Sequence, residues 1–548
     1  SVAPSLPDNT SQAEAANAPA AAPARSHRED APASPATGVF TYHNNLSRTG
    51  LNPNETILTP QNVNSQSFGK LFANEVDGYV YPQPLFVPGV SVPDRGTHNI
   101  VYVATENDSV YAFDADESGP PVWHASLLEG GSAVPSTDFQ CDQIVPKVGI
   151  TGTPVIDPAT RTLYVVAMVK HDSAKGPVYA HRLHALDIAT GEEKFGGPVS
   201  IAGSVPGIGE GQVNGTVAFD PFPHLNRAGL ALADGVVYIA FASHCDMNWF
   251  HGWVFAYSAG TPANPGQPGG SKTAKLSLRA VFNTTPNGFW GSIWQAGAAP
   301  AIDAEGHIFV VTGNGTFGNF DFGDSFLKLR LQGNSLRTVD SFTPYNQKIL
   351  DEQDIDLGAS GPVLLPDQPG SHPHLAVGAG KSGAIYLLDR DRMGRFVPKG
   401  KDRQIVQVIR GAIAGNYATP AYWNGYLYMG SFNDSLKAFS FSRGRLSEFP
   451  VSKSDGVFGY PGASPSVSAD QTRNGIVWAL QNDDHYRSGP TVLHAYDATD
   501  LSRELYNSSA AGARDMAGPA VKFTSPTIAN GKVYLGTQNS VDVYGLLD

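Results

Sequence analysis

An aromatic side chain, an amide and a carboxylate follow one another within residues 291–331. Trp294 precedes a strand-like run of small residues, Asn314 lies in a Gly-Asn-Gly loop after an apolar strand, and Asp324 opens the next strand. Carboxylate and amide oxygens suit calcium, and a tryptophan face can stack on a planar ring. Neighbouring strands of one sheet would bring the three groups to one end, where they form either a binding site or an ordinary Gly/Asn turn beside a core tryptophan.

Two further loops carry side chains that do chemistry. Residues 241–253 contain histidines and an aspartate at spacings that suit a metal ion or a general base. Residues 482–489 combine acid, imidazole, phenol and guanidinium, which suits a sugar. Solvated surface loops have the same composition, so both interpretations stay open. The candidate contact residues, with one more from an earlier loop, are His171, His244, Trp249, His251, Asp483, His485 and Arg487.

The composition indicates a turn-rich, all-β protein. The 548 residues include 59 Gly and 41 Pro, only 16% are charged, and no long run has a helical apolar period. The net charge of -13 argues against nucleic acid or an anionic membrane as partner, because there is no basic excess. No stretch reaches 18 consecutive apolar residues, so we expect no transmembrane segment.

One unit of about four strands recurs along the chain: a small-residue strand, an apolar strand, a polar loop, a strand such as VYAFD, and a last strand after a turn. The eight copies begin near Gln83, Gly152, Ala228, Gly297, Gly361, Ala418, Ala463 and Ser525. The last copy has only three strands, and residues 68–76 can supply its fourth. The pattern predicts a single eight-bladed β-propeller over residues 68–548, closed by the N-terminal strand.

Two segments precede the predicted ring. Residues 1–38 are rich in Ala, Pro and Ser and have too few large apolar groups to fold, so we expect a disordered tail. Residues 39–67 are polar with scattered apolar positions and are predicted to be an ordered strap. The tail resembles a spacer that follows an export signal or lipid anchor, which favours a secreted or periplasmic protein.

The repeats also place the loops. In a propeller, the loop between a blade's second and third strands and the loop entering its innermost strand lie on one rim, around a central funnel. Cys141 falls in the entering loop of the second blade and Cys245 in the second-to-third loop of the third. A disulfide between these adjacent blades is geometrically allowed, and two free thiols are the alternative.

The fourth copy carries a resemblance to a known family. Its segments SIWQAG, VVTGNG and FGDSFL occur in the order found in the quinoprotein alcohol dehydrogenases, eight-bladed propellers that hold pyrroloquinoline quinone and calcium in the funnel. The resemblance implies that Trp294 stacks on the quinone, that Asn314 binds calcium, and that Asp324 takes the alcohol proton. Asp246 and Asp324 are the further expected metal ligands. Lys381 and Asn416, on the same rim, are the further expected cofactor contacts.

Three functions follow as hypotheses. The first is an oxidoreductase that acts on an alcohol or sugar in the funnel. The second is a carbohydrate-binding or polysaccharide-degrading propeller, a lyase or hydrolase, that uses the aromatic rim. The third is a non-catalytic scaffold that binds a protein partner.

Overall fold

The computed structural model describes residues 37–247, 249–260, 275–318 and 320–547. Within them, eight small sheets form a ring, which confirms the predicted eight-bladed β-propeller. The predicted tail lies outside the described residues except for residues 37 and 38. None of the described helices is long and apolar enough to cross a membrane.

Each blade is an antiparallel sheet with one strand innermost, nearest the axis, and three further strands outwards from it. Blade 1 contains, from the axis outwards, Leu85–Val92, Gly96–Thr105, Ser109–Asp114 and Trp123–Ser126. Blade 2 contains Val155–Asp157, Thr162–Ser173, Gly176–Asp187 and Val199–Ser200. Blade 3 contains Ala231–Ala233, Val236–Ser243, Trp253–Ala259 and Leu276–Asn283. Blade 4 contains Ala301–Ile302, His307–Val311, Phe326–Gln332 and Ser335–Thr343.

The second half of the ring repeats this order. Blade 5 contains Val363–Leu364, Leu375–Ala379, Ile385–Asp389 and Gln407–Ile409. Blade 6 contains Ala421–Trp423, Tyr426–Met429, Asp434–Ser442 and Ser452–Phe458. Blade 7 contains Ser466–Asp470, Arg473–Gln481, Val492–Asp497 and Asp500–Asn507. Blade 8 contains Thr527–Ala529, Lys532–Gly536, Ser540–Leu546 and Phe68–Glu75.

Short elements decorate the blades. Five two-residue strands extend the sheets: Leu51–Asn52, Ser132–Ala133, His224–Leu225, Arg395–Phe396 and Arg445–Leu446. Two hairpins stand apart: Ser204–Pro206 with Thr216–Ala218, and Phe317–Gly318 with Asp321–Phe322. The described helices are one α-helix, Gln347–Glu352, and the 3-10 turns Ser136–Phe139, Gln295–Gly297, Leu357–Ala359, His485–Arg487 and Gly512–Arg514.

The first and last strands of the ring close it together. Phe68–Glu75 pairs antiparallel with Ser540–Leu546, in a register that sets Phe68 opposite Leu546. This pairing covers an edge that the eighth blade would otherwise expose. Blade 8 is therefore built from both ends of the described chain, as the incomplete last repeat predicted.

The core lies between the faces of neighbouring blades. Each strand alternates its side chains between two faces, and apolar residues from adjacent sheets pack together in successive clusters around the ring. Trp253 and Trp478 are among the largest fully buried side chains. This packing fixes the angle between blades and so the position of every loop on the funnel rim.

Residues 39–52 of the strap occupy the centre of the ring. They hydrogen bond, mostly through the backbone, to the innermost strands of seven of the eight blades, from Val39 with Phe86 in blade 1 to Asn52 with Ile528 in blade 8. The guanidinium of Arg48 is fully buried among them and donates to the carbonyl oxygens of Pro300, Tyr42 and Asn45. The strap therefore ties the blades to one another at their axis.

Candidate functional site

A cavity of about 340 Å³ opens where the loops of blades 2 to 8 converge on the funnel, and we call it the funnel cavity. One side is acidic and the other aromatic. The residues that line it are Gln143, Ser243, Cys245, Asp246, Ser292, Trp294, Gly313, Asp354, Asp356, Gly358, Ala359, Lys381, Tyr417, Tyr460 and Phe523.

Three carboxylates, those of Asp246, Asp354 and Asp356, form the acidic wall of the cavity. Asp246 comes from the second-to-third loop of blade 3, whereas the other two come from the segment that enters blade 5. That segment contains the helix Gln347–Glu352 and the turn Leu357–Ala359, and these two elements hold the intervening residues at the cavity.

Lys381 pairs with two of these carboxylates. Its Nζ lies 2.5 Å from Oδ2 of Asp356 and 3.0 Å from Oδ1 of Asp354. Burial alone would lower the pKa of Lys381, but the charges of Asp356 and Asp354 outweigh it and raise the pKa above its usual range. The lysine therefore stays charged and partly neutralises the acidic wall.

Asn314 is fixed against the same carboxylates. Its backbone N–H donates to Oδ1 of Asp356 at 2.8 Å, and its Nδ2 donates to Oδ1 of Asp354 at 3.0 Å. Its side-chain oxygen Oδ1 is buried and has no hydrogen-bond partner among the residues that the structure describes. A buried amide oxygen without a donor is costly, and a bound cation would satisfy it.

Asp246 faces the cavity and is oriented by Ser243, whose Oγ donates to Oδ1 at 3.0 Å. The carboxylate reaches solvent through the funnel, yet protein surrounds it closely. This desolvation raises the pKa of Asp246, and the charges of Asp356 and Asp354 raise it further. A carboxylate with a raised pKa is better suited to accept a proton near neutral pH than an ordinary surface aspartate.

Trp294 lies on the cavity wall at the start of the turn Gln295–Gly297. The buried side chain of Gln295 holds this turn, since its Oε1 accepts from the N–H of Val311 and its Nε2 donates to the carbonyl of Ala298. The Trp294 ring packs edge-on against Phe523, with 5.8 Å between centroids. Its position is therefore set by its neighbours rather than by a ligand.

Tyr417, Tyr460 and Phe523 form the aromatic wall on the side of blades 6 to 8. Tyr417 and Tyr460 meet edge-to-face, with 5.4 Å between centroids, and Phe523 lies 6.0 Å from Tyr460. These rings offer flat, rigid apolar surface to any ring-shaped ligand.

Cys141 and Cys245 form a disulfide at the edge of the cavity. Their Cα atoms are 5.7 Å apart although 104 residues separate them in sequence. The bond joins the entering loop of blade 2 to the loop of blade 3 that carries Asp246. It therefore stabilises the placement of one member of the acidic wall.

Asp324 reaches the same end of blade 4 as Asn314, since its N–H donates to the carbonyl of Gly313 at 2.8 Å. It is fully buried and does not line the funnel cavity. Its Oδ1 accepts from the N–H of Leu357, and Gln347 contacts its other oxygen. Burial raises the pKa of Asp324 well above its ordinary value, so the neutral form is favoured.

Several other predicted residues also lie outside the cavity lining. Asn416 is buried and donates from Nδ2 to the carbonyl of Ala418 at 2.8 Å, which braces a turn. His244 is stacked on Phe139 with 3.8 Å between ring centroids, and burial lowers its pKa to about 3. His251 lies between Thr285 Oγ1 and the carbonyl of Glu210. These contacts are those of structural side chains.

The remaining rim candidates are spread over the surface. His171 contacts Arg182 in blade 2, and Trp249 is 67% exposed beside the funnel. Asp483 accepts from the N–H of Gly459, and His485 is held by the carbonyl of Asn482. Arg487 is exposed and lies 3.8 Å from Asp484. The structure does not gather these residues into one site.

Asp354 was not among the predicted residues, and Asp356 was predicted only as one polar residue of a loop on the funnel rim, without a role. The run DEQDIDLG, residues 351–358, directly precedes the innermost strand of blade 5 and so belongs to a funnel loop. Closely spaced carboxylates in an entering loop were the signal that could have identified them.

The donor set suits a hard cation. The acidic wall and the unpartnered Oδ1 of Asn314 supply oxygen ligands of the kind that calcium prefers. Lys381 now holds two of the carboxylates, so a cation would have to replace its ammonium. Trp294 and the aromatic wall likewise suit a planar ring. The residues present therefore fit both a metal ion and a quinone.

No family model matches the chain, and no curated protein does. Solved structures do. A quinohemoprotein alcohol dehydrogenase from Comamonas testosteroni has a TM-score of 0.58 at 16% identity, with 94% of this chain and 81% of that chain covered. A quinohemoprotein alcohol dehydrogenase from Pseudomonas putida HK5 has a TM-score of 0.57 at 14% identity, with 93% and 80% covered.

A third similar structure is a europium-containing methanol dehydrogenase, with a TM-score of 0.54 at 12% identity, covering 93% of this chain and 98% of that chain. Identities this low show the fold and nothing more specific. In its fold, this chain is thus an eight-bladed propeller similar to those of quinoprotein dehydrogenases.

Proposed function

We propose that the funnel cavity is the active site of a quinoprotein-type oxidoreductase that oxidises an alcohol or a sugar. The observation that carries the proposal is that the acidic wall and Trp294 line one cavity. Asn314, which does not itself line the cavity, is hydrogen bonded to two of the wall's carboxylates and has an unpartnered Oδ1. The sequence resemblance and the fold of the similar dehydrogenases support it. The oxygen ligands alone, or Trp294 alone, would also suit a binding protein.

A hard cation would be held by Asp354 and Asp356 of the acidic wall together with Oδ1 of Asn314, so the carboxylate of Asp246 stays available to accept a proton. Among the described residues, Lys381 is the ion-pair partner of the acidic wall. Three carboxylates against one ammonium leave an excess of negative charge on this side of the cavity, which favours a divalent or trivalent ion. One of the similar dehydrogenases contains europium, so both calcium and a lanthanide are reasonable probes.

A planar quinone would lie against Trp294 and the aromatic wall, and when bound it would supply the two-electron acceptor for the oxidation. These rings are positioned by packing against each other, so they need not reorganise to receive a flat ligand.

We assign proton acceptance to Asp246. Its carboxylate reaches the cavity, Ser243 fixes its orientation, and its raised pKa suits transfer from a substrate hydroxyl. Asp324, to which the resemblance gives this role, is shut off from the cavity by Leu357 and Gln347. An Asp246→Asn variant is expected to lose oxidation but remain folded.

Terbium luminescence tests the cation site without reference to activity. Excitation of tryptophan should sensitise the emission of bound Tb³⁺. The Trp294→Phe variant should show reduced emission. The Asp356→Asn variant should bind Tb³⁺ about tenfold or more weakly. Glu305→Gln is a matched control, because Glu305 belongs to the compact Asp303, Glu305 and His307 group on another turn. Binding that depends on Glu305 and not on Asp356 would contradict the proposal.

Reconstitution tests the reaction. After addition of pyrroloquinoline quinone with Ca²⁺ or La³⁺, we expect quinone absorbance to remain with the protein after gel filtration and alcohols or sugars to reduce an artificial dye. Asp246→Asn should retain the quinone but not reduce the dye. Failure to retain quinone with either ion would refute the proposal.

The disulfide supports export as part of the proposal. Disulfides persist in oxidising compartments, and Cys141 and Cys245 are joined at the funnel. Expression in an oxidising compartment should give protein two mass units lighter than reduced protein. Two alkylatable thiols in protein kept oxidised throughout would count against this assignment.

Glycan binding is the alternative that a specific observation favours. The aromatic wall presents three rings in one cavity, and such rings also stack on sugars. A glycan array and product release from acidic polysaccharides distinguish the two functions. Glycan binding abolished by Tyr460→Ala, together with failure of quinone retention, would replace the oxidoreductase proposal.

A further inference from the structure

Lys522 is a buried amine without an ion-pair partner. Its side chain is in the loop entering blade 8, and the residue is only 3% exposed. Among the residues that the structure describes, its ammonium makes no hydrogen bond or salt bridge. Its contacts are with ring faces: Nζ lies 5.5 Å from the centroid of Phe523, 5.9 Å from Tyr460 and 5.8 Å from Tyr486.

Two of those rings, Phe523 and Tyr460, belong to the aromatic wall of the funnel cavity. The amine therefore adjoins the aromatic wall, although Lys522 is not itself among the residues that line the cavity. Cation–π contacts only partly replace the water that an ammonium loses on burial. An ammonium held in this way can still form an ion pair with an anion.

A second cation reinforces this side of the cavity. The guanidinium of Arg227 is fully buried, lies 5.8 Å from the Phe523 centroid and donates to the backbone carbonyls of Thr151, Ala296 and Phe523. Asp142 is the carboxylate whose charge acts on the pKa of Lys522, and its side chain is exposed. The cavity is thus bipolar, with acids on blades 3 and 5 and buried cations beside the aromatic wall.

The pKa of Lys522 is consistent with this geometry. Burial lowers the pKa of Lys522 to about 8, the charge of Asp142 opposes the shift and Arg227 adds to it. Tyr460, Tyr486 and His485 are the other titratable groups on the elements around it. The ammonium form, which an anion needs, is present at neutral pH and is lost as the pH rises above 8.

We propose that Lys522 is the anion subsite of the funnel, and that the ligand bound there is a carboxylate carried on a flat ring. The carboxylate pairs with the ammonium of Lys522 while the ring lies on the aromatic wall. The inference rests on the proposed use of the funnel as the ligand site, and it adds the chemical class of the ligand. The carboxylate belongs either to a quinone cofactor or to an acidic substrate.

The test compares 2-naphthoate with its neutral isostere 2-naphthamide in titration calorimetry. Wild-type protein at pH 7 should bind the naphthoate about tenfold or more tightly than the amide, since a charge-assisted hydrogen bond contributes at this level. Lys522→Met should abolish the preference, and Lys522→Arg should retain it. Lys532→Met, at a lysine on the second strand of blade 8 that is paired with Asp116, should leave it unchanged.

Folding of the variant is checked independently. Removing an unpaired buried charge should leave the thermal midpoint of Lys522→Met at or above that of the wild type. Equal binding of naphthoate and naphthamide by wild type, or an unchanged preference in a folded Lys522→Met, overturns the inference. Loss of naphthoate affinity as the pH is raised from 7 to 9, in wild type but not in Lys522→Arg, supports it.

A competition arm distinguishes the two sources of carboxylate. If pyrroloquinoline quinone supplies it, saturating quinone excludes naphthoate from the wild-type protein; if a substrate supplies it, naphthoate binds the quinone-loaded protein. When quinone is not retained at all, a naphthoate preference that depends on Lys522 still supports the subsite, while the oxidoreductase proposal fails.

Discussion

The ammonium of Lys381 lies 2.5 Å from Oδ2 of Asp356, so a lysine of blade 5 already supplies the positive charge that a bound cation would bring. It also contacts Asp354, which in turn accepts from Asn314. The acidic wall is thus held together by a side chain of the protein, and cation binding has to compete with it.

Replacing this lysine should strengthen cation binding. Lys381→Met removes the competing charge from Asp354 and Asp356, and we expect Tb³⁺ and Ca²⁺ affinity to rise about tenfold. Sensitised luminescence measures the change, with the exposed Lys175→Met as the control. Weaker binding in Lys381→Met would show that the lysine positions the carboxylates instead of competing for them.

Breaking the disulfide should destabilise the fold and loosen the cation site together. The bond closes a loop of 104 residues, and Cys141→Ser with Cys245→Ser is expected to cost about 2 to 4 kcal/mol in the free energy of unfolding. Because Asp246 follows Cys245 directly, Tb³⁺ affinity should also fall. Chemical denaturation and luminescence measure the two effects, and intact cation affinity in the double variant would contradict the positioning role.

Buried histidines should make the protein sensitive to acid. Burial lowers the folded-state pKa of His244 to about 3, against 6.5 unfolded, so below pH 6.5 the unfolded chain binds a proton that the folded chain does not. Stability therefore falls with decreasing pH through the window from 6.5 to about 3. In the His244→Gln variant, the slope of the free energy of unfolding against pH should be smaller by about 1.4 kcal/mol per pH unit within this window.

Denaturant unfolding of wild type and His244→Gln at several pH values measures this difference. His171→Gln is the control, because His171 is only partly buried and lies on blade 2 away from His244. Identical slopes for wild type and His244→Gln would mean that the histidine is charged in the folded state.

The buried Arg48 should be important for the stability of the ring. Its guanidinium donates to the carbonyls of Pro300, Tyr42 and Asn45 and to the hydroxyl of Thr41. Arg48→Met leaves these buried acceptors unsatisfied, and we expect a loss of about 3 kcal/mol in the free energy of unfolding. Arg279→Met on an outer strand should change it by less than about 0.5 kcal/mol. Equal effects would contradict a central role for the strap.

The blades were predictable because each repeats the same alternation of apolar and polar residues, with turns at regular intervals. The innermost strands begin within a few residues of the predicted markers, for example Val155 after Gly152 and Ala421 after Ala418. The composition of the eighth blade was also predictable, because the last repeat has only three strands and a fourth was available before the first repeat. These features depend on local pattern and on the need to cover sheet edges.

The site was predictable only in part, because the repeat pattern does not show how deeply a side chain is buried below the rim. Trp294 and Lys381 reach the cavity as expected, whereas Asp324 is enclosed by the segment that enters blade 5. That segment carries a helix that interrupts the repeat, and it brings Asp354 and Asp356 to the funnel. Such insertions are decided by tertiary packing, so sequence periodicity could not show which carboxylates would be covered.

The pairing of Phe68–Glu75 with Ser540–Leu546 has a consequence for how the chain folds during synthesis. The strand Phe68–Glu75 is synthesised long before Ser540–Leu546, and it stays without this neighbour until then. Until then its edge is open to other chains, and the long sequence separation makes closure slow. We therefore expect the ring to close late in folding, when these two strands pair, and the newly made protein to need protection from aggregation until then.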